Sequence, residues 1–178
     1  MITKLTQERA IAAMVRVNHA GEYGALGIYK GQLKRPSCAH KEIQEMYDQE
    51  VLHFEYFDQE IRRRKIRPTL LMPLWKAGSR TLGAMSARMG VEGMMACTEA
   101  VERVIVRHYN AQLESMEDMY PQDDELKEAV ARFRDDELRH HDDAGQYTKS
   151  VGSFSPIRVF GRLVEVVCAG AISLSQKI

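Results

Sequence analysis

The chain has 178 residues, a length typical of one domain, and its 44% hydrophobic and 28% charged residues are ordinary for a globular protein. Lysine plus arginine and aspartate plus glutamate number 25 each, so the net charge is zero and nothing favours nucleic acid as a partner. Three distant cysteines, Cys38, Cys97 and Cys168, argue against a disulfide framework and against a thiolate metal site.

The first residues, Met1 to Lys4, form neither the apolar core of a signal peptide nor the Arg- and Ser-rich lead of a transit peptide. We therefore expect a protein that works where it is made, or a mature form. No stretch of the chain reaches 18 uncharged apolar residues, so no bilayer-spanning helix is predicted.

The first third of the chain has helical periodicity and little of the alternation that strands show. Residues 7–34 and 41–65 are predicted to form two helices of a first hairpin, about residues 7–65, with Pro36 in the turn. The core-facing stripe of the first helix is Ile11, Val15, Asn18, Glu22, Leu26, Tyr29 and Leu33. The stripe of the second is Ile43, Met46, Glu50, His53 or Phe54, Phe57 and Ile61. Glutamate thus lies within two otherwise mostly apolar faces.

Four glycines occur in the first predicted helix, where each weakens the helix by roughly 0.5–1 kcal/mol relative to alanine. They indicate either close helix packing or space kept beside Glu22. These glycines are Gly21, Gly24, Gly27 and Gly31.

Residues 66–90 are predicted to cross over between two halves of a bundle. From Ile61 to Val91 there are eight basic residues and no acidic one. The interleaved apolar residues are Leu70, Leu71, Met72, Leu74 and Trp75. Basic residues mixed with apolar and Trp side chains suit a membrane interface with anionic head groups. A plain crossover is the alternative, and one segment can serve both purposes.

The rest of the chain is also predicted to be helical. Residues 91–119 and 123–149 form a second hairpin, about residues 91–149, with Pro121 ending its first helix. A C-terminal amphipathic helix spans residues 156–176 and begins at Pro156, a residue common in first helical turns. Its apolar face, which we expect to contact lipid or the bundle, consists of Ile157, Phe160, Val164, Val167, Ala171 and Leu174.

Two motifs, Glu50-x-x-His53 and Glu137-x-x-His140, each place a glutamate and a histidine on one helical face, one turn apart. Di-iron and di-manganese carboxylate bundles present their ligands in this way: two helices supply Glu-x-x-His and two others supply one Glu each. One such motif alone is a weak signal. The pair therefore needs independent support from the sequence.

An internal repeat supplies that support. Glu22 is followed at +7, +10 and +11 by Tyr, Gln and Leu, and Glu102 is followed by the same residues at the same offsets. Each segment is followed, 28 and 35 residues after its lone glutamate, by the glutamate of a Glu-x-x-His motif. The chain therefore consists of two copies of one helical hairpin, each with half of a metal site.

The predicted metal ligands are Glu22, Glu50, His53, Glu102, Glu137 and His140. Surface glutamates and core histidines are common, but these six fall on core-facing stripes, where unpaired carboxylates would be very unfavourable. Four carboxylates carry four negative charges, which two divalent cations would neutralise. Carboxylates with one imidazole per metal favour iron(II) or manganese(II) over zinc. Glu50 and Glu137 are assigned as bridging ligands.

Three neighbours of these ligands have open roles. Asp136 is either a hydrogen-bond acceptor for a ligand histidine or a surface charge. His141 is the alternative to His140, although the matching Glu50/His53 spacing favours His140. Glu99 is either an additional ligand or proton relay, or a supporting structural residue.

Several segments resemble the demethoxyubiquinone hydroxylase family, and the resemblance covers nearly the whole chain. The segments between the ligands are more specific than the ligands themselves. They are residues 18–24 (NHAGEYG), 67–69 (RPT), 72–75 (MPLW), 96–102 (ACTEAVE) and 133–142 (FRDDELRHHD). The resemblance implies an all-α, ferritin-like four-helix bundle with a di-iron centre, a crossover segment and a C-terminal amphipathic helix.

The resemblance further implies a monooxygenase that uses O₂ to hydroxylate the ring of a polyprenyl quinone, demethoxyubiquinone or its quinol, in ubiquinone biosynthesis. Two iron ions per chain are expected, with NADH as reductant, although the sequence has no Gly-x-Gly-x-x-Gly motif. Peripheral membrane contact through Arg67–Arg88 and the C-terminal helix is expected, as is a lipid-presenting accessory protein. The location would be the cytoplasmic face of a bacterial inner membrane, or the mitochondrial matrix face for a mature form.

His108 and Tyr109 match a His-Tyr pair that family members link to substrate and electron transfer. Some members have a second histidine where this chain has Arg107, which puts a proton relay through that position in doubt. Two other functions remain open at this stage. A ferritin-like ferroxidase or peroxidase would share all six ligands, and a non-enzymatic membrane-associated helical scaffold would bind no iron.

Overall fold

A computed structural model describes residues 4–119 and 123–177, and within these ranges the chain forms six helices and no strand. The predicted all-α class is confirmed. The helices are α1 (Lys4–Gln32), α2 (His40–Arg63), α3 (Met72–Arg88), α4 (Gly90–Met119), α5 (Asp124–Thr148) and α6 (Pro156–Lys177). The N-terminal residues 1–3 and the predicted helix-ending Pro121 lie outside the described residues.

Five of the six helices match the predicted ones to within a few residues, because periodicity and helix-ending residues mark them in the sequence. Pro36 lies between α1 and α2, and Pro156 is the first residue of α6. Gly90 begins α4 with a φ of +81°, a left-handed conformation that glycine adopts without strain. This residue lets α4 begin only one residue after the end of α3.

The predicted crossover contains a helix, α3, that the sequence pattern did not reveal. Its residues include glycine, alanine and serine rather than a regular apolar stripe, so the helical period is weak. Close contact with α1 stabilises α3 in place of a regular apolar stripe. The backbone of α3 approaches α1 at Gly31, where an added Cβ would lie 2.7 Å from the Ala84 nitrogen, and at Gly83, where it would overlap the Ile28 carbonyl. The expected role of the α1 glycines in close helix packing is confirmed at Gly27 and Gly31.

The six helices pack as two similar sets of three. In the first set α2 and α3 both pack on α1, and in the second set α5 and α6 both pack on α4. Helices α3 and α6 also contact the central helix of the opposite set, α4 and α1 respectively. The four helices α1, α2, α4 and α5 form the expected ferritin-like bundle, and α3 and α6 join both of its central helices.

Two hydrophobic clusters fill the bundle. One surrounds the aromatic rings of Phe57, Tyr109 and Phe133, where the Phe57 and Phe133 rings meet edge-on at 5.6 Å between centroids. The other contains Tyr29 and Met95. Each cluster therefore contributes one buried tyrosine to the polar centre described below.

Helices α2 and α5 meet through the rings of Tyr56, Phe57 and Phe133 and through polar side chains. Near one end, Arg64 donates to Asp123 at 2.8 Å, and near the other the Tyr147 hydroxyl donates to Glu42 at 3.2 Å. The predicted ligands lie between these two contacts along the helices.

The apolar face predicted for α6 is directed mainly at the bundle. Val164 is buried, and Phe160 is partly buried against the Phe57 cluster. Five large apolar side chains of α6 remain exposed, and two of them, Val167 and Leu174, belong to the predicted face. The exposed residues are Val159, Leu163, Val166, Val167 and Leu174. Contact of this helix with lipid stays a prediction.

Candidate metal centre

Six polar side chains from four helices meet inside the bundle. They are Glu22 of α1, Glu50 and His53 of α2, Glu102 of α4, and Glu137 and His140 of α5. Each is at most 3% exposed. Every predicted ligand therefore lies on the core-facing side of its helix, as the stripes in the sequence indicated.

The first group of ligand atoms comprises Glu22, Glu50, His53 and Glu137, whose donor atoms lie within 4.8 Å of one another. The Nδ1 atom of His53 is 3.1 Å from Glu137 Oε1, 3.6 Å from Glu50 Oε2 and 3.9 Å from Glu22 Oε2. Three carboxylates thus converge on one imidazole nitrogen.

The second group comprises Glu50, Glu102, Glu137 and His140, again within 4.8 Å of one another. The Nδ1 atom of His140 is 3.3 Å from Glu50 Oε1 and 3.2 Å from Glu137 Oε2. Glu50 and Glu137 belong to both groups, and each points one oxygen at each histidine. This is the arrangement expected of residues that bridge two cations.

The donor set fits divalent metal ions. Four carboxylates are buried together, and both oxygens of Glu50 are buried without a hydrogen-bond donor in suitable geometry. An orphaned buried carboxylate is strongly unfavourable unless a cation neutralises it. Oxygen donors with one imidazole in each group suit iron or manganese.

Without metal, the centre must hold protons to reduce its charge. Burial, and then the neighbouring Glu50, raises the pKa of Glu22 well above its usual value, and burial and Glu137 do the same for Glu102. Burial lowers the pKa of both histidines, but hydrogen bonding to Glu137 and the nearby Glu50 outweighs it. The resulting pKa is about 12 for His53 and about 10 for His140. Metal ions would displace these protons.

Two buried tyrosines contact the lone glutamates, and each contact crosses between the repeats. Tyr29 of α1 donates its hydroxyl to Glu102 of α4 at 2.8 Å, and Tyr109 of α4 donates to Glu22 of α1. Burial and the adjacent carboxylate raise the pKa of both phenols, so both keep the proton that they donate. The shared tyrosine at +7 in the sequence repeat thus corresponds to a reciprocal pair of hydrogen bonds.

The outer nitrogen of each histidine is also hydrogen-bonded. His53 Nε2 lies 3.2 Å from Asp136 Oδ2, so the expected contact between Asp136 and a ligand histidine is confirmed. His140 Nε2 lies 2.7 Å from Gln49 Oε1, a partner that sequence reasoning missed. A signal was available, because Gln49 precedes Glu50 as Asp136 precedes Glu137. With Nε2 bonded outward, Nδ1 of each ring faces the carboxylates.

Two residues with open roles lie outside both ligand groups. Glu99 accepts hydrogen bonds from Arg103 at 2.6 Å, Thr148 at 2.6 Å and Arg158 at 3.2 Å, and so ties the helix ends together. His141 is 3.0 Å from Asp142 on the outside of α5. Of the two adjacent histidines, His140 is therefore the one within the centre.

His108 lies beside a pair of buried amides rather than among the ligands. Asn18 and Gln112 exchange hydrogen bonds at 2.9 and 2.7 Å, and His108 Nε2 is 2.6 Å from Gln112 Nε2. Burial lowers the pKa of His108 to about 4, so its ring is neutral at physiological pH. Nε2 of this neutral ring, when it carries no proton, accepts a hydrogen bond from the Gln112 amide. Arg107 is exposed, and its nearest acidic partner is Glu165 at 3.9 Å.

A cleft of about 430 Å³ opens between α2 and α5. His53, Asp136 and Gln49 line it together with Leu52, Glu55, Tyr56, Gln59, Arg132 and Phe133. The outer side of the centre therefore borders solvent-accessible space opposite α3 and α6.

The chain matches the family model described as Ubiquinone biosynthesis protein COQ7 over residues 9–175. It belongs to the COQ7 family. The resemblance inferred from the segments around the ligands is thereby confirmed.

Curated COQ7 relatives are similar over most of the chain. The rat protein named "NADPH-dependent 3-demethoxyubiquinone 3-hydroxylase, mitochondrial" is 41% identical over 172 residues, covering 94% of this chain and 78% of the relative. The human protein of the same name is 40% identical over 173 residues, with 95% and 78% covered. The "3-demethoxyubiquinol 3-hydroxylase" of Rhodospirillum rubrum is 40% identical over 136 residues, with 74% and 62% covered.

Proposed function

We propose that this protein is an O₂-dependent monooxygenase that hydroxylates the ring of demethoxyubiquinone or demethoxyubiquinol in ubiquinone biosynthesis. The observation that carries the proposal is a buried pair of ligand groups sharing Glu50 and Glu137, in a chain of the COQ7 family. One oxygen atom would enter the ring and the other would leave as water, using two electrons and two protons from a reductant.

Two iron ions are the proposed metal cofactor. Glu22 and His53 would hold one iron, Glu102 and His140 the other, and Glu50 and Glu137 both. Bound there, two irons supply the electrons needed to activate O₂, which no side chain supplies alone. Asp136 and Gln49 orient the two imidazoles, and Tyr29 and Tyr109 fix the two lone glutamates.

Tyr109 and His108 are the proposed catalytic residues near the Glu22 side. The Tyr109 hydroxyl touches Glu22, and the neutral His108 ring joins the amide pair of Asn18, one turn before Glu22. This contact would let Tyr109 hold a proton at the ligand carboxylate while His108 positions the substrate ring.

The proposed reductant is a reduced pyridine nucleotide, in keeping with the NADPH-dependent relatives. NADH was the expectation from the resemblance, and both nucleotides deliver the same hydride. The absence of a Gly-x-Gly-x-x-Gly motif predicts that the nucleotide does not bind as it does in Rossmann domains.

We further propose that α3 and α6 bring the protein to a membrane surface, where a polyprenyl quinone resides. Leu70 and Leu74 near the start of α3 are 63% and 55% exposed, and Leu163 and Val166 of α6 are 61% and 71% exposed. The indole nitrogen of Trp75 donates to Ser175 at 3.0 Å, which joins the two elements into one surface. Within the described residues, no helix is long and apolar enough to cross a bilayer.

The membrane would be a bacterial inner membrane approached from the cytoplasm, or a mitochondrial inner membrane approached from the matrix. The relatives named as mitochondrial support the second alternative for eukaryotic members. A lipid-presenting accessory protein remains a proposed partner on the same surface, because the quinone tail must be extracted from lipid.

The catalytic proposal is tested with purified iron-loaded protein, NADH or NADPH, a short-tailed demethoxyubiquinone and ¹⁸O₂. The expected product is the ring hydroxylated with one ¹⁸O atom, detected by mass spectrometry. Oxidation of added iron(II) without hydroxylated quinone would instead indicate the ferroxidase alternative. Purification without chelator and without any bound iron would indicate the scaffold alternative.

The membrane proposal is tested by co-sedimentation with vesicles containing anionic lipid. Lys76, Arg80 and Arg88 are exposed, and replacing all three by Gln removes about 1 kcal/mol of attraction each at low salt. Replacing the exposed Leu70 and Leu74 by Ser weakens binding at high salt as well, because that contribution is apolar burial.

The matched control replaces three basic residues of α2 and α5 by Gln: the exposed Lys41 and Arg62 and the partly exposed Lys127. This control removes the same charge from the opposite side of the bundle and should leave vesicle binding nearly unchanged. Equal weakening by both triple variants would mean that α3 is not the binding surface.

A further inference from the structure

The two candidate ligand histidines make equivalent outer hydrogen bonds to acceptors of different charge. Each Nε2 atom is bonded to the residue that precedes the shared glutamate on the opposite helix, Asp136 for His53 and Gln49 for His140. The two positions are therefore equivalent within the repeat. Their chemistry differs, because one acceptor is a carboxylate and the other a neutral amide.

Arg139 increases this difference. Its Nη2 atom donates to Asp136 Oδ1 at 2.6 Å and to Gln49 Oε1 at 3.3 Å. Asp136 has a second oxygen, Oδ2, left for His53, whereas the single Gln49 oxygen serves both Arg139 and His140. His140 therefore shares a weak acceptor with a cation, and His53 has an anionic oxygen to itself.

The acceptor on the outer nitrogen controls how strongly an imidazole binds a metal. A carboxylate pulls the Nε2 proton outward and increases the electron density that Nδ1 offers, and losing such a partner typically lowers metal affinity by 10–100-fold. Arg139 reduces the charge of Asp136 only in part, because its side chain is 53% exposed and solvent screens it.

The other contributors to the two positions are closely matched. Glu50 and Glu137 belong to both ligand groups. Glu22 and Glu102 each accept one tyrosine hydroxyl from the opposite repeat. The outer acceptors are thus where the two positions differ in charge.

We propose that the two iron positions are unequal, and that Asp136 makes the Glu22/His53 position bind the first iron(II) while Gln49 leaves the Glu102/His140 position weaker. Asp136 and Gln49 are positioning residues that act through the histidines. This inference rests on the proposed di-iron centre. It implies that the centre fills and empties in a fixed order.

The test is an anaerobic titration of the metal-free protein with iron(II), in which isothermal titration calorimetry measures the heat of binding. The wild-type protein should bind two ions in separate steps. Asp136→Asn should weaken the first step by about 10–100-fold and leave the second within a few fold, so that the two steps merge. Gln49→Glu should strengthen the second step.

Asp135→Asn is the matched control. Asp135 lies next to Asp136, is 65% exposed on its side chain and bonds Arg134 instead of a histidine. The variant removes the same charge from the same helix without altering a histidine contact. It should leave both steps unchanged, which separates the direct contact from a general loss of negative charge.

Single-position variants assign the steps. In His140→Ala the Glu22/His53 position remains, and adding Asp136→Asn should weaken its binding whereas adding Gln49→Glu should not strengthen it. In His53→Ala the Glu102/His140 position remains, and there Gln49→Glu should strengthen binding whereas Asp136→Asn should not weaken it. Circular dichroism verifies that each variant is folded.

The outcomes separate this inference from the function on which it rests. Two indistinguishable steps in the wild type, or equal weakening of both steps by Asp136→Asn, would overturn the inequality and leave the di-iron centre standing. Binding of fewer than two ions by the wild-type protein would overturn the di-iron centre itself.

Discussion

The first three helices and the last three hold their candidate metal ligands alike and differ in the residues that surround those ligands. Each set supplies a lone glutamate, a Glu-x-x-His motif and a tyrosine that reaches the other set's glutamate. In each, the third helix packs on the first. The parts that hold the candidate metals are therefore the parts that repeat.

The differences lie one shell of contacts further out. Position +6 from the lone glutamate is Ile28 in the first set and His108 in the second, and the outer acceptors are Gln49 and Asp136. Binding two metal ions needs two similar half-sites, whereas a reaction on one substrate needs the two sides of the centre to differ. We infer that the residues that differ between the two sets make the two sides of the centre unequal.

The largest effect is expected from the two shared glutamates. Glu50→Ala or Glu137→Ala should abolish hydroxylation and lower the iron content to one atom or fewer per chain, because each removes a ligand common to both groups. Iron analysis by mass spectrometry measures the content. Glu55→Ala, an exposed change on α2, is the control and should keep both irons. Two irons in either variant would contradict the bridging assignment.

Tyr29 and Tyr109 occupy equivalent positions in the two repeats, so substituting each in turn compares the two halves of the centre. Tyr29→Phe and Tyr109→Phe each leave a buried carboxylate without its donor, so each should lower the free energy of unfolding by about 1–3 kcal/mol. Tyr109→Phe alone should also reduce turnover by about 10²-fold, the contribution typical of a positioned proton donor. Equal turnover in both variants would restrict Tyr109 to a structural role.

The metal-free protein should become less stable as pH rises. Folded His53 and His140 keep their protons up to about pH 12 and 10, whereas the unfolded chain releases them near 6.5. Their stabilisation is complete below about pH 6.5 and is lost as pH rises towards these values. The raised pKa values of Glu22 and Glu102 act in the same direction.

For each proton that the folded state binds and the unfolded state does not, the free energy of unfolding falls by up to about 1.4 kcal/mol per unit rise in pH. Urea unfolding at pH 7 and pH 9 measures the change, and between them the two histidines should cost the metal-free protein up to about 5 kcal/mol. Protein loaded with iron(II) under anaerobic conditions is the control, because metal replaces those protons and removes the loss. A gain in stability of the metal-free protein with rising pH would refute this protonation pattern.

The smallest effect is expected from substitutions that test how closely α3 and α6, the third helix of each set, pack on the bundle. An added Cβ at Gly83 of α3 would overlap the Ile28 backbone, whereas at Gly161 of α6 the nearest atom is the Ala96 oxygen at 3.4 Å. Gly83→Ala should therefore lower the free energy of unfolding by about 1–3 kcal/mol, and Gly161→Ala by less than about 1 kcal/mol. Thermal unfolding measures both, and equal values would mean that α3 and α6 are equally loosely held.

The buried cluster of six candidate ligands and five of the helices could be predicted because their signals are local. Glu50 and His53 lie one turn apart on one helix, and the repeat pointed to Glu22 and Glu102 without any contact being known. Helix α3 could not be predicted, because its stability comes from glycine-mediated contact with α1 rather than from an apolar stripe. Gln49 was missed because its role depends on facing His140 from another helix.

The sequence by itself determined the helical class, the six candidate ligands and the membership of a ferritin-like family, since helical spacing fixes which side chains share a face. Only the tertiary structure decided which partners meet across helices: Tyr109 with Glu22, Asp136 with His53, and Glu99 with arginines instead of the centre. It also decided which stripe of α6 stays exposed. Contacts between helices depend on how the helices rotate and cross, and spacing along one chain does not encode those angles.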